Sequence, residues 1–171
     1  MAVVSETVIP FPTTSAIWHN SLRHMATNGP AGLSDVLRAL GGARVLRARS
    51  LEELRQRLRE GLPYAALSAL AAGFAITAEE IVTVLRIPAR TLARRKKQRR
   101  LSAEESDRIF RLGRIAALAE EALGSREKAA SWLRAANRAL GGAAPLSRLD
   151  TDLGATEVED VLLRLEHGVF S

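Results

Sequence analysis

The sequence feature that most constrains the fold is a recurrent Ser/Thr-x-x-Glu spacing: Ser50 with Glu53, Thr77 with Glu80, and Ser102 with Glu105. In this arrangement the hydroxyl accepts the N–H three residues on, and the glutamate reaches back to the cap N–H. Two donors that a helix start leaves without partners are thereby satisfied. The three pairs predict helix starts at residues 51, 78 and 103. Gly61, Gly73 and Gly124 supply stops, and Pro63 and Pro88 suit first turns. Apolar residues are mostly the helix formers Ala and Leu, and aromatic residues make up only 4% of the chain, which leaves little from which to build a sheet. The expected fold class is all-α.

This punctuation predicts helices over 34–40, 51–60, 64–72, 78–85, 89–98, 103–123, 125–135 and 156–166. Residues 137–145 read as a turn region around Gly141 and Gly142. Residues 1–30, interrupted by Pro10, Pro12, Asn28-Gly29 and Pro30, read as an arm, either a tail or a segment that wraps a partner. A short helix at 78–85, a tight turn at Arg86-Ile87-Pro88 and a second short helix at 89–98 form a helix-turn-helix signature. The expected division is an arm (1–30), a helix-turn-helix domain (31–101) and a second helical domain (102–171). Ile81, Val82 and Leu85, then Leu92, then Ile109, Leu112 and Ile115 recur at helical spacing as inward faces.

Charge is distributed unevenly along these elements. Residues 86–114 hold 11 Lys/Arg against 3 Asp/Glu, a net of +8, whereas 115–171 hold 6 against 9, a net of −3. A basic block can attract nucleic acid, an anionic membrane surface or an acidic partner. Its placement on the second helix of a helix-turn-helix favours DNA, because that helix enters the major groove with its N-terminal residues toward the bases. Arg90, Thr91 and Arg94 are therefore the base-reading candidates, with Arg95 beside them. Lys96, Lys97, Arg99 and Arg100 are better placed for phosphates. The competing explanation is a solvated basic face, or cations favoured at a helix end by its dipole. The Arg44–Arg49 stretch is the fallback DNA site.

Other chemistries find little support. There is no cysteine, and His19, His24 and His167 are scattered, so neither a thiolate nor a histidine metal site is expected. Glu120-Glu121 and Glu159-Asp160 are adjacent pairs that diverge on a helix. No nucleophile motif is present, and no enzyme activity or cofactor is expected. Without a long apolar run or a basic-then-apolar start, the expectation is a soluble cytoplasmic chain with no membrane span. In the C-terminal third, Trp132 and Leu133 read as core and Asn137 as a turn residue. Val169 and Phe170 have two readings, folding back onto their own domain or inserting into a partner.

The run Gly61-Leu62-Pro63, Leu85 to Arg95, Leu101-Ser102 and Glu105 to Arg108 resembles the Xre/MbcA/ParS family of type II antitoxins. The likeness continues through Lys128 to Leu133, Asn137 to Gly142, Pro145-Leu146, Asp150-Thr151, Gly154 and Glu166 to Phe170, so it covers roughly residues 50–171. Ala136 departs from it, where a proline is expected before the asparagine. The resemblance implies an Xre-like helix-turn-helix that binds operator DNA and represses its own operon, followed by a toxin-binding domain. It implies a cognate RES-domain toxin that consumes NAD, neutralised by occlusion of its active site, and an antitoxin homodimer. On this resemblance the toxin-binding candidates are Trp132, Asn137, Leu162, Leu165, Glu166, Gly168, Val169, Phe170 and Ser171. A stand-alone transcription regulator with a C-terminal dimerisation domain is the alternative from another class.

Overall fold

The computed structural model describes residues 32–166. In chain order the helices are α1 (Leu33–Ala39), α2 (Gly42–Leu46), α3 (Leu51–Glu60), α4 (Tyr64–Gly73), α5 (Ala78–Leu85), α6 (Ala89–Gln98), α7 (Ala103–Leu123), α8 (Arg126–Arg134), α9 (Pro145–Arg148) and α10 (Asp152–Glu166), with a 3-10 turn at Arg138–Leu140 between α8 and α9. No strand forms among the described residues, and the fold is all-α as expected.

The predicted caps are made. Ser50, Thr77 and Ser102 hydroxyls accept from the N–H groups of Glu53, Glu80 and Glu105, each at 3.2 Å. At Thr77 and Ser102 the glutamate carboxylate accepts the cap N–H at 2.7 Å, closing the box. Glu53 reaches one residue further back, to the Arg49 N–H at 2.6 Å.

α7 carries the centre of the core. Ile109, Phe110, Leu112, Ile115, Ala116, Leu118 and Ala119 are buried along it, and it packs against α1, α3 and α5 as well as α8 and α10. Among the described residues no single helix is long and apolar enough to cross a membrane; the apolar residues of α4 and α5, such as Leu67, Leu70, Ile81 and Leu85, are core.

Two glycines permit backbones to touch. Gly61 has φ +93°, and a Cβ there would lie 2.1 Å from the Leu101 carbonyl oxygen. The segment after it is fastened to the end of α6 by bonds from the Leu101 N–H to the Leu62 carbonyl (2.9 Å) and from the Tyr64 N–H to the Arg99 carbonyl (3.0 Å). A buried bond from the Leu62 N–H to Ser106 Oγ at 2.7 Å continues the seam into α7. At Gly154 a Cβ would lie 2.0 Å from the Arg148 carbonyl oxygen, so α10 crosses the end of α9 at backbone distance.

That crossing corrects one expected boundary. The last helix starts at Asp152 rather than at 156, with the Thr151 hydroxyl accepting the Gly154 N–H at 3.1 Å; Gly154 is a packing residue inside the helix. At Gly41-Gly42 the first helix stops, in keeping with its expected end at residue 40, but a short helix that was not expected follows. Gly41 takes the left-handed conformation and α2 begins at once, held down by buried Leu46.

Candidate functional site

α5 and α6 form the helix-turn-helix. α5 ends on Arg86 in the left-handed conformation, and Pro88 starts α6. Ile87 and Leu92 are buried and seat the pair on the core. Leu92 is the single buried residue of α6, so most of this helix is free to face a ligand.

The side chains of α6 divide by face. Arg90, Arg94 and Lys97 follow one another at i, i+4 and i+7, a continuous stripe on one side. They are exposed, as are Lys96 and Arg99, and none of the five makes a side-chain hydrogen bond or ion pair among the described residues. Thr91 is half-buried beside them.

Arg95 is placed otherwise. It lies three residues after Leu92, on the side that meets α7, and its guanidinium pairs with Glu105 at 2.7 Å while also reaching Gln98. Glu105 is only 6% exposed, and a carboxylate in that position needs a partner. Arg100 donates from Nε to the Glu60 carbonyl at 3.0 Å, closing the end of α3. Both arginines, expected on the DNA surface, are engaged with their own chain, Arg95 with Glu105 and Gln98 and Arg100 with the end of α3.

The C-terminal candidates are dispersed. Trp132 is half-buried against the core and its neighbour Leu133 is fully buried. Asn137 organises the turn: its Oδ1 accepts the Ala139 N–H at 2.9 Å, and its backbone carbonyl accepts the Gly142 N–H at 2.8 Å. Leu162 is 1% exposed and belongs to the core, so a docking face on α10 has to use other residues. Leu165 is half-buried and Glu166 exposed. Gly168, Val169, Phe170 and Ser171 lie outside the described residues.

Arginines join the two parts of the chain. Arg134, at the end of α8, pairs with Glu80 at 3.0 Å and donates to the carbonyls of Phe74, Ala75 and Ala130. Burial opposes the charge on Glu80, but the Thr77 N–H and the Arg134 guanidinium outweigh it and hold its pKa below the ordinary value. Arg86, in the turn of the helix-turn-helix, pairs with Asp150 at 2.6 Å. Arg111 and Arg114 on α7 pair with Asp152 and Glu159 on α10, both at 2.5 Å. Sequence reasoning missed this junction. The i, i+4 helix periodicity carries no sign of a pair 54 residues apart, such as Arg134 and Glu80.

Comparison with known proteins divides the chain along the same line. Residues 53–114 match the antitoxin Xre-like helix-turn-helix domain, and residues 118–168 match the antitoxin Xre/MbcA/ParS C-terminal toxin-binding domain. The chain is 43% identical over 94 residues to a protein named Antitoxin Xre from Yersinia enterocolitica, covering 54% of this chain and 64% of that protein. It is 40% identical over 83 residues to Antitoxin Xre from Pseudomonas putida, covering 48% and 52%. It is 34% identical over 116 residues to Antitoxin Xre from Photorhabdus laumondii, covering 67% and 78%. The chain thus spans between half and two thirds of the length of the first two relatives and over three quarters of the third.

Proposed function

The chain belongs to the Xre/MbcA/ParS antitoxin family, and from that premise we propose that it neutralises a toxin through its C-terminal half and represses its own operon through α5 and α6. The observation that carries this reading is the order of the two matches on one chain: a helix-turn-helix at 53–114, directly followed by a toxin-binding domain at 118–168.

In the DNA-binding half, Arg90, Thr91 and Arg94 face the bases, and Lys96, Lys97 and Arg99 neutralise phosphates. Arg95 and Arg100 act through the helix they hold. A homodimer would present two such helices to a palindromic operator. In the other half, the partner is a RES-type, NAD-consuming toxin, occluded at its active-site mouth. Val169 and Phe170 are the apolar anchors of that contact, with Glu166, Leu165 and the exposed side of α10 as its rim. The antitoxin contributes no chemistry; it excludes substrate.

Co-expression tests the proposal. The full chain should restore growth to cells producing a RES-type toxin, taken from the adjacent reading frame where one is encoded there. Deletion of residues 167–171 should abolish rescue while leaving DNA binding intact. Rescue by the shortened chain would remove the occluding role of Val169 and Phe170. Absence of any complex between the full chain and that toxin would leave a stand-alone regulator.

A further inference from the structure

Among the described residues, four that are not glycine have positive φ: Arg47 (52°), Ala75 (52°), Arg86 (50°) and Arg99 (57°). Glycine adopts this conformation without the steric strain that a Cβ brings. An arginine kept there implies a use for its side chain. At Arg86 the use is visible in the ion pair with Asp150. Arg47 and Arg99 have no side-chain partner among the described residues.

Those two arginines line the same open groove. It measures about 330 Å³ and runs between α2 and the end of α6, with Arg44, Arg57 and Arg100 also on its walls and no carboxylate residue among those lining it. A second hollow extends it along α3, past Arg44, Arg47, Arg49 and Arg57. Its one acid, Glu53, is occupied by the Arg49 N–H. Glu60 stands just outside, its pKa lowered first by the Gln56 amide and then by Arg57 and Arg100 against an opposing burial effect. It braces those two arginines at 3.0 and 3.5 Å. Helix-end stabilisation does not account for the cluster. Arg47 and Arg99 follow α2 and α6, whose last turns already carry Arg44 and the run Arg95, Lys96 and Lys97.

We infer that this groove is a second DNA contact, taking the phosphate backbone of the duplex that α6 reads. The inference rests on the reading of α6 as the recognition helix and extends it. Arg44 and Arg47 precede the stretch that matches the helix-turn-helix family, which begins at residue 53. The chemistry fits a phosphate strand: guanidinium forks offer paired donors to phosphate oxygens, and Arg99 joins the groove to the end of the base-reading stripe.

The test compares three variants of the full chain on two duplexes of about 40 base pairs, roughly four helical turns: one from immediately upstream of its own coding sequence, one unrelated. Arg47→Gly/Arg99→Gly should melt at the same or a higher temperature than the parent. It should bind both duplexes more weakly by the same factor, with a log K–log salt slope shallower by about 2 and a loss of roughly 60-fold at 0.1 M salt. Arg44→Ala should make the slope shallower by about 1. Arg90→Ala/Arg94→Ala should instead lose discrimination between the duplexes. Unchanged affinity and slope in the glycine variant, beside a defective Arg90→Ala/Arg94→Ala, overturns the groove alone. If Arg90→Ala/Arg94→Ala also binds and discriminates normally, the reading of α6 falls with it. A lowered melting temperature in the glycine variant assigns Arg47 and Arg99 to the fold and overturns the inference. So does Arg44- and Arg47-dependent binding of phosphatidylserine vesicles in place of DNA.

Discussion

The 11 cations between residues 86 and 114 are of two kinds. Arg86, Arg95, Arg100, Arg108, Arg111 and Arg114 each hold a carboxylate or carbonyl of their own chain. Arg90, Arg94, Lys96, Lys97 and Arg99 hold none among the described residues. The division follows position. The first group lies where the helix-turn-helix and α7 meet other elements. Arg95, Arg108, Arg111 and Arg114 are largely covered there, where a guanidinium losing water has to find acceptors, while Arg86 and Arg100 stay exposed beside theirs. The second lies on the outward side of α6, where water satisfies it until a ligand arrives. Charge density locates the basic region; partnering decides which cations a polyanion can use.

The largest test of this division lies outside the block, at Arg134, the most heavily partnered arginine of the junction. Arg134→Ala removes the partner of Glu80 and the donors to three carbonyls. A loss of about 2 kcal/mol in urea unfolding is expected, below the full range for a buried pair because both side chains are near one-third exposed. Arg134→Lys should recover less than half, since a point charge cannot serve the same spread of acceptors. The Glu80 part of the effect depends on pH. Its folded pKa is lowered, so its stabilisation is present above the ordinary value of 4.5 and is lost as pH falls through the folded pKa. The gap between parent and Arg134→Ala should therefore narrow below pH 4.5. A gap that stays constant into acid would assign the effect to the carbonyls.

A smaller effect is expected at Arg95, on α6 itself. Arg95→Ala leaves the buried Glu105 with the Ser102 N–H as its remaining partner. A loss of roughly 1 kcal/mol in unfolding is expected, with no change in the salt slope of DNA binding. A slope shallower by about 1 would move Arg95 into the second group and break the division as drawn.

Much of this was readable before any coordinates. Local signals were reliable where a helix end is decided within four residues. The caps at Ser50, Thr77 and Ser102, Pro88 and the stops at Gly61 and Gly124 placed α3, α5, α6 and α7 at their observed bounds. Legibility failed where a residue serves a neighbour distant in sequence. Gly154 fell ahead of the last helix, expected from 156, because its place inside that helix is set by the Arg148 carbonyl, which no periodicity reveals. Leu162 entered the docking candidates only through the family resemblance; helical spacing with Val158, Val161 and Leu165 already put it on the inward face, where it is buried. Arg95 entered the DNA candidates because a basic residue on a helix shows its chemistry and not the side it faces. For Arg95 the Leu92-to-Arg95 spacing was the available clue: three residues from the one buried anchor of α6 is the inward side.

The smallest expected effect examines whether partnering at Arg111 is complete. Arg111 is 9% exposed, pairs with Asp152, and its Nε finds no acceptor among the described residues. Asp107, one turn earlier, has its pKa raised, first by burial and then by Asp152, against the opposing pull of Arg111. A carboxylate whose folded pKa is raised weakens the fold where it is ionised, and the penalty disappears as pH falls below the ordinary value of 3.8. Asp107→Asn removes that charge while keeping the shape. A gain of up to about 0.5 kcal/mol at neutral pH is expected, shrinking to nothing as the parent protonates. The opposite sign is equally informative. If Asp107→Asn is destabilised at pH 7, Arg111 depends on both carboxylates, and the field of Asp107 offsets the desolvation that the unpaired Nε leaves uncompensated.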